Sequence, residues 1–307
     1  AIAAVIFVPE SPNRIPAKVD YRGAAVLAVG LSVPMYAISE ANNWGWASTK
    51  TIGLVLAGLA VLGFWVWLQK RTDDPLADVS LLAEPTVAMT NIATILIGFG
   101  MFASFILIPQ LVEAPDNTGY GFGYTATQAG LVMLPAALMM LFAGPLSGRL
   151  GARYGNKVPL ALGGLVCGVG LVGLGLDHGG SLNIVLWNVL SSTGVGLAYA
   201  AMPNLIMEAV PVERTGEATG FNALIRSVGS SLGSQVTASI LTGTIIAATG
   251  FPTSEGFKVA FLVGAGVSLI AGLLALLIPG SGHGHLSVAE EIGAATILPD
   301  PALAADK

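Results

Sequence analysis

Hydrophobic positions fall in long blocks along this chain, and short polar or turn-forming segments such as NNWGW, TDDPLAD and TGFPTSEG separate them. A helix needs about 20 apolar residues to cross a bilayer. Eight segments approximately meet that length, at residues 23–41, 51–68, 87–112, 128–146, 158–176, 182–207, 218–248 and 257–278. The pattern therefore predicts an all-α polytopic membrane protein with eight full transmembrane helices.

The two ends of the chain depart from this pattern. The chain begins at Ala1 with the apolar run AIAAVIFV, which is too short to span a bilayer and has no charged segment before it. We interpret this run as the end of a truncated, partial helix, and the chain as a fragment. After Pro279 the hydrophobicity stops, and the Ala/Gly-rich residues 280–307 are predicted to form a disordered tail.

Composition supports the membrane assignment and excludes several other classes of protein. Of the 307 residues, 54% are hydrophobic and 10% are charged, with a mean hydropathy of +0.77, whereas soluble domains carry about 25% charged residues. A soluble enzyme is therefore excluded, and the lipid bilayer is the expected partner of the apolar surface. A net charge of −5 leaves no basic patch for nucleic acid. The single cysteine, Cys167, excludes a disulfide scaffold.

The distribution of positive charge predicts the orientation in the membrane. Loops that carry Lys and Arg lie preferentially on the cytoplasmic side. With the loop before the first full span placed inside, only Lys50 and Lys258 fall outside among the cationic residues. Trp44 and Trp46 then lie at the outer interface, where indole rings are enriched. This topology places the C-terminal tail in the cytoplasm.

The chain carries no pattern of paired catalytic or metal-binding residues. The segment GSSLG at 229–233 has the spacing of a hydrolase nucleophile elbow around Ser231, but that elbow requires a strand that turns sharply into a helix. Here Gly229 and Gly233 share one face of a predicted helix, as Gly164 and Gly168 do, and such spacing favours close helix packing. An intramembrane enzyme is accordingly the least favoured function, and no cofactor or metal is expected.

Polar residues inside the predicted spans are the candidates for function, because such residues are costly in lipid unless they face a bundle interior or a wet cavity. One stripe at spacings of three and four follows the seventh span and contains Asn222, Arg226, Ser230, Gly233 and Thr237. Two interpretations of Arg226 remain open. In the first, its side chain snorkels to the lipid headgroups or forms a structural ion pair, and in the second it belongs to a gate or a cavity. Glu40 and Glu113 lie near span ends, so no acid sits convincingly at the membrane midplane.

The segment GRLGARYGNK at 148–157 joins the fourth and fifth spans. It resembles the cytoplasmic loop motif of the major facilitator superfamily, roughly G-x-L-x-D-R-x-G-R-R, although Ala152 replaces the acid of that motif. Five further segments are similar to the fourteen-helix drug:proton antiporter branch of the family. They are VPES at 8–11, VDYRG at 19–23, IPQLVE, TQAGLVMLP and VERTGEATGFNALIRSVGSSLG. The resemblance covers nearly the whole chain to about Pro279.

The resemblance implies a division of the chain. Residues 1–22 would be the end of a truncated helix and a cytoplasmic loop, and residues 23–85 a two-helix linker between halves. Residues 86–279 would form the six-helix C-terminal transporter half, followed by the cytoplasmic tail at 280–307. The N-terminal six-helix half, which carries the first-helix acid of the family, is the expected missing partner.

The resemblance also implies the function of a proton-coupled multidrug efflux antiporter in the plasma (bacterial inner) membrane. Such a protein works by alternating access, with the proton gradient as its energy source, on small amphipathic or cationic substrates. The alternatives are an exporter of another solute, such as a siderophore or a metabolite, and a truncated membrane module without autonomous transport.

Two sets of residues follow from the family architecture. The expected substrate-cavity residues are Asn91, Phe105, Met133, Met139, Asn188, Tyr199, Asn222 and Gln235. The expected residues of the gate and the cytoplasmic loop motif are Gly148, Arg149, Leu150, Arg153, Gly155, Lys157 and Arg226.

Overall fold

A computed structural model describes residues 20–246 and 250–279, without the side chain of Ala103. The segments predicted as the end of a truncated helix and as the disordered tail lie outside these described residues. The described part contains eight long helices: α1 (Tyr21–Ser39), α2 (Thr49–Gln69), α3 (Pro85–Glu113), α4 (Ala126–Tyr154), α5 (Lys157–Leu176), α6 (Ser181–Ala209), α7 (Thr215–Thr242) and α8 (Ser254–Leu276). It contains no strand, so the all-helical polytopic fold is confirmed.

Each predicted span corresponds to one long helix, but α7 differs from the others in composition. Seven of the eight helices are long and apolar enough to cross a membrane, and α7 is the exception. Its apolar residues are diluted by Ser, Thr, Asn, Gln and Arg side chains, many of which face neighbouring helices or a cavity. The span predicted to reach residue 248 ends as a helix at Thr242, after which the chain turns and Ile245 pairs with Pro252.

Side chains at the helix starts supply the partners that the first backbone N–H groups lack. The Asp20 carboxylate accepts a hydrogen bond of 2.8 Å from the Gly23 N–H and caps α1. This bond, followed by one from the Gln69 side chain at the end of α2, holds the pKa of Asp20 below its usual value. Thr125 and Gln128 form a reciprocal capping box at the start of α4.

Helices α3 to α8 pack as one bundle in which α3 contacts α6, α7 and α8, while α5 packs between α6 and α8. Helix α4 packs mainly against α6. The core is apolar and includes Leu107 of α3, Leu171 of α5 and Phe261 of α8, all fully buried. This bundle places one side of α3, α4, α6 and α7 around the cavities described below.

Glycines bring the helices of the bundle close together, as the small-residue spacing predicts. A Cβ atom on Gly229 would lie 2.2 Å from the carbonyl oxygen of Ile95 in α3, and one on Gly194 would lie 2.3 Å from the backbone nitrogen of Cys167 in α5. A Cβ on Gly164 would lie 2.5 Å from the backbone of α8. These distances are too short for any side chain, so the glycines allow the close packing. The segment GSSLG lies inside α7, where it packs against α3, and it forms no strand-to-helix elbow.

Helices α1 and α2 pack against each other and touch the bundle mainly through α7. Near one end of α7, the Asn42 amide donates to the carbonyl oxygen of Ser239 at 2.8 Å. Further along, the Trp65 ring stacks on Phe221 with centroids 5.9 Å apart. The α1–α2 pair is therefore held to α7 at more than one level. The assignment of residues 23–85 as a linker between two halves stays a prediction.

Candidate functional site

A cavity of about 460 Å³ opens between α3, α6 and α7. It combines aromatic side chains from α3 and α6 with a polar stripe from α7. Its lining consists of Phe102, Phe105, Ile106, Tyr199, Arg226, Ser227, Ser230, Ser231, Ser234 and Gln235. We call this space the arginine cavity. An aromatic wall opposite a polar wall suits a molecule that has both an apolar and a polar side.

Arg226 is half-buried in this cavity, and its guanidinium lies over an aromatic ring. The guanidinium carbon lies 4.7 Å from the centroid of the Tyr199 ring, which is within cation–π distance. Within the described residues the guanidinium takes part in neither an ion pair nor a hydrogen bond. Arg226 lies about 16 Å from the start of α7, a helix about 42 Å long, at 1.5 Å per residue. Its position favours the cavity interpretation over an ion pair or snorkelling.

The serine-rich wall of α7 offers unoccupied polar groups to this cavity. The hydroxyl of Ser230 donates to the Arg226 carbonyl oxygen at 2.9 Å, so the helix itself satisfies it. The side chains of Ser231, Ser234 and Gln235 form no hydrogen bond to any other described residue. These three side chains are therefore available to a bound molecule or to water.

A second cavity, of about 320 Å³, lies between α3, α4 and α6 and is mainly apolar. Its lining consists of Ser104, Phe105, Met133, Ala136, Ala137, Met140, Leu141, Asn188 and Ser192. We call this space the asparagine cavity. Phe105 lines both cavities, so they are neighbours across one aromatic ring.

Two buried polar atoms at the asparagine cavity have no partner in the described part of the chain. Asn188 is 2% exposed, and its carbonyl oxygen accepts from the Ser192 hydroxyl at 3.4 Å while its amide nitrogen bonds to nothing. The hydroxyl of Ser104, a residue 6% exposed, is likewise unpaired. Because buried polar groups are nearly always hydrogen-bonded, these atoms mark a place for a ligand oxygen or an ordered water.

The structure places five of the eight predicted cavity residues at these two cavities. Phe105, Met133, Asn188, Tyr199 and Gln235 line one or both of them. Whether a substrate binds there stays a prediction.

The other three predicted cavity residues line neither cavity. Met139 is exposed on α4. Asn91 and Asn222 are buried between α3 and α7, where the Asn222 amide donates 2.8 Å hydrogen bonds to the Asn91 side-chain oxygen and the Thr94 hydroxyl. The two amides thus satisfy each other across a helix interface, and a contact of either asparagine with substrate stays a prediction.

Sequence reasoning missed Ser104, Ser231 and Ser234 as lining residues. The two serines of α7 had a signal, since positions 227, 231 and 234 form a polar stripe beside the one that contains Arg226. Ser104 had none, because one serine in an apolar span is compatible with any face of the helix.

The loop motif lies at the junction of α4 and α5, away from the cavities. Gly155 has a φ of +85°, a conformation that glycine adopts readily, and it separates the end of α4 from Lys157 at the start of α5. The chain carries Ala152 in place of the acid of the motif. Nearby, the Asn156 amide donates to Glu208 at 2.7 Å and links the junction to α6. Arg226 contacts Tyr199 in the arginine cavity.

The remaining predicted residues of the motif have mostly exposed side chains. Arg149 and Arg153 are exposed, and the Arg153 guanidinium lies 5.2 Å from the Tyr154 ring. Gly148 is exposed, and a Cβ atom at this position would have no neighbouring atom within 4 Å. Leu150 is half-buried. A gating role for this segment stays a prediction.

A polar cluster joins the segment before α3 to the start of α7. The Asp78 carboxylate accepts from the backbone and hydroxyl of Ser80 and pairs with the guanidinium of Arg214. The Ser80 hydroxyl, with the Ser80 backbone and Arg214 after it, holds the pKa of Asp78 below its usual value against the opposing effect of desolvation. Glu217 in the first turn of α7 accepts the Asp78 N–H.

Eight long helices, seven of them apolar enough to cross a bilayer, define a polytopic membrane protein. The sequence profile of the Major Facilitator Superfamily matches residues 21–234 and, in a second alignment, residues 92–303. The chain belongs to the Major Facilitator Superfamily. Its relatives are transporters, which agrees with the expectation that it is not an enzyme.

Three relatives illustrate the similarity. Multidrug resistance protein Stp of Mycobacterium tuberculosis is 28% identical over 236 residues, which cover 76% of this chain and 43% of that protein. A tetracycline resistance determinant of Streptomyces rimosus is 28% identical over 230 residues, 72% of this chain and 63% of that protein. The uridine/deoxyuridine transporter of Lactococcus lactis is 30% identical over 241 residues, 73% and 48% respectively. The chain thus spans less than two thirds of the length of each.

Proposed function

We propose that this chain forms the C-terminal portion of a proton-coupled multidrug efflux antiporter that works by alternating access. The observation that carries the proposal is the pair of cavities that meet at Phe105, which combine aromatic and methionine side chains with unoccupied polar groups. Such surfaces suit loosely specified amphipathic molecules, because methionine and aromatic side chains repack around different shapes. The similarity to multidrug and tetracycline resistance proteins supports the same function.

Alternating access requires a second wall for the cavities. Together they are bounded by α3, α4, α6 and α7, and an N-terminal six-helix half is the partner that we propose for the open side. In this proposal residues 86–279 are the C-terminal half, residues 23–85 connect the halves, and the tail faces the cytoplasm of a plasma or bacterial inner membrane. No carboxylate of the described residues lines either cavity. The group that carries the proton, and any acid that attracts a cationic substrate, would then belong to the partner half.

Efflux from cells that lack their own drug exporters tests this function. Cells expressing a complete transporter that contains this chain are loaded with ethidium, and its loss is followed by fluorescence. We expect energised efflux that stops when a protonophore collapses the proton gradient and the membrane potential together. Phe105→Ala should slow it several-fold, because that ring lines both cavities.

Phe142→Ala is the matched control, since Phe142 is 65% exposed on α4 and lines neither cavity. Efflux that persists without a proton gradient would refute proton coupling. A correctly inserted protein that exports none of a panel of amphipathic compounds would favour the module without autonomous transport.

A metabolite exporter is the second candidate, and the Lactococcus relative that transports uridine and deoxyuridine favours it. The polar wall of Ser231, Ser234 and Gln235 offers hydrogen-bonding groups of the kind that a nucleoside requires. Uptake of labelled uridine into inverted vesicles would distinguish the two functions, because a multidrug exporter should show no saturable nucleoside transport.

A further inference from the structure

The guanidinium of the half-buried Arg226 is a cation without an anionic partner among the described residues, in the cavity between α3, α6 and α7. A buried charge normally pairs with an opposite charge, because its removal from water is costly. The Tyr199 ring compensates part of this cost through its π-face. A ring occupies none of the five N–H donors of the guanidinium, and those donors form a fork that matches a carboxylate.

We propose that the arginine cavity binds the acidic group of an aromatic amphipathic compound, a carboxylate, a sulfonate or an acidic phenolate, through Arg226. This inference rests on the proposed function, since it names the substrate class for the same cavities. The unoccupied side chains of Ser231, Ser234 and Gln235 lie in the same lining and supply further donors to the acid.

The apolar part of the compound has a platform beside the arginine. Phe102 and Phe105 lie on one side of α3 with ring centroids 6.2 Å apart, and 36% and 46% of their surfaces are exposed. Exposed rings at this spacing offer faces and edges on which another aromatic ring can pack. The cavity therefore selects an acid that carries an aromatic body over a small aliphatic acid.

The asparagine cavity supplies a second, independent anchor. The free amide nitrogen of Asn188 donates a hydrogen bond, and the free hydroxyl of Ser104 donates or accepts one. A carbonyl or ether oxygen on the far side of the compound satisfies both. Asn188 and Tyr199 are eleven residues apart on α6, or about 16 Å along its axis. A ligand therefore has to be elongated to reach both anchors, whereas a short acid occupies only the arginine cavity.

Binding of two matched probes tests the inference without requiring transport. The purified full chain in dodecyl maltoside micelles is titrated with 2-naphthoate and with 2-naphthylmethylammonium, which differ mainly in the charged group, and binding is followed by fluorescence polarisation against empty micelles. We expect Arg226→Gln to weaken naphthoate binding about tenfold or more and Arg226→Lys to weaken it less, with the ammonium probe changed less than twofold.

Arg71→Gln is the matched control, because Arg71 is an exposed arginine that also lies over an aromatic ring, that of Trp67, and lines neither cavity. We expect it to leave naphthoate binding unchanged. Equal losses for Arg226→Gln and Arg71→Gln, or equal losses for the two probes, would overturn the inference.

Competition on the unmodified protein keeps the test decisive if an Arg226 variant fails to fold. Unlabelled naphthalene-2-sulfonate should displace 2-naphthoate at least tenfold more strongly than naphthalene-2-methanol, and equal displacement would overturn the proposal. If phosphatidylglycerol displaces the probe as strongly as the sulfonate does, the ligand of Arg226 is a lipid headgroup. That result would overturn the proposal of a soluble substrate.

The two proposals fail separately. Acid-selective binding without efflux would keep the inference about the ligand and refute the antiporter. Efflux of ethidium with no acid-selective binding would keep the antiporter and refute the inference.

Discussion

The hydrogen-bonded pair of Asn91 and Asn222 gives the sharpest test of the packing between α3 and α7. The Asn222 amide donates to the Asn91 oxygen and to the Thr94 hydroxyl, both at 2.8 Å, and Asn222 is 1% exposed. Interhelical hydrogen bonds in membranes contribute about 0.6 kcal/mol on average and up to about 1.7 kcal/mol each. Two such bonds predict that Asn222→Ala lowers the free energy of unfolding by about 1–3 kcal/mol.

A double-mutant cycle isolates the bond between the two asparagines. Asn91→Ala removes one of the two acceptors, so we expect a coupling energy with Asn222→Ala of about 0.6–1.7 kcal/mol, the contribution of one bond. Unfolding in mixed micelles is measured by pulse labelling of Cys167, which is buried in the folded protein and is the only cysteine of the chain.

Ser227→Ala is the control on the same helix, because the exposed Ser227 hydroxyl donates to the carbonyl oxygen of Ala223 one turn earlier and, within the described residues, to no other helix. Its effect should stay within about 0.5 kcal/mol. A coupling energy near zero, with an Asn222→Ala effect no larger than this control, would refute the hydrogen-bonded interface. The asparagines would then face an aqueous cavity, as the family resemblance implied.

Three further predictions concern the packing and the attachment of helices. Gly194→Ala should lower the unfolding free energy by about 1–3 kcal/mol in the same assay, because its Cβ would lie 2.3 Å from the backbone of α5, whereas Gly144→Ala has open space and should be neutral. Asp78→Asn should cost no more than about 1 kcal/mol at neutral pH. The Ser80 hydroxyl and then the Arg214 guanidinium lower the pKa of the Asp78 carboxyl. The stabilisation from this carboxylate is therefore complete above the usual pKa of an aspartate and disappears as the pH falls through the lowered pKa. A difference in thermal unfolding between Asp78→Asn and the unmodified protein that persists at low pH would contradict this prediction. Trp65→Ala should loosen the α1–α2 pair from α7 and increase hydrogen exchange in α1 and α2 with little change in α5. Equal exchange in α1 and α2 of Trp65→Ala and of the unmodified protein would contradict the stacking contact.

The sequence predicts the existence and approximate limits of the helices because bilayer thickness imposes a length on every apolar segment. It also predicts close packing at Gly164 and Gly229, since small residues four apart have few other uses in a membrane helix. It misplaces the end of the seventh span, because the apolar residues after Gly243 continue the pattern while the backbone turns.

The candidate site was only partly predictable for a different reason. A polar residue inside a span signals a buried partner or a wet cavity, and spacing along one helix cannot distinguish the two. Asn222 and Arg226 lie one turn apart on the same stripe, yet the first bonds to α3 and the second faces a cavity. The neighbouring helix decides between them, because it either presents a complementary amide or leaves open space.

Sequence by itself therefore determined the all-helical membrane fold, the family and the chemical types of residue inside the spans. The tertiary structure decided which of those residues satisfy one another and which remain unpaired, as Arg226 and Asn188 do within the described residues. The physical reason is that hydropathy and residue size act along one helix, whereas hydrogen bonding and charge pairing depend on atoms that helices far apart in the chain bring within about 3 Å.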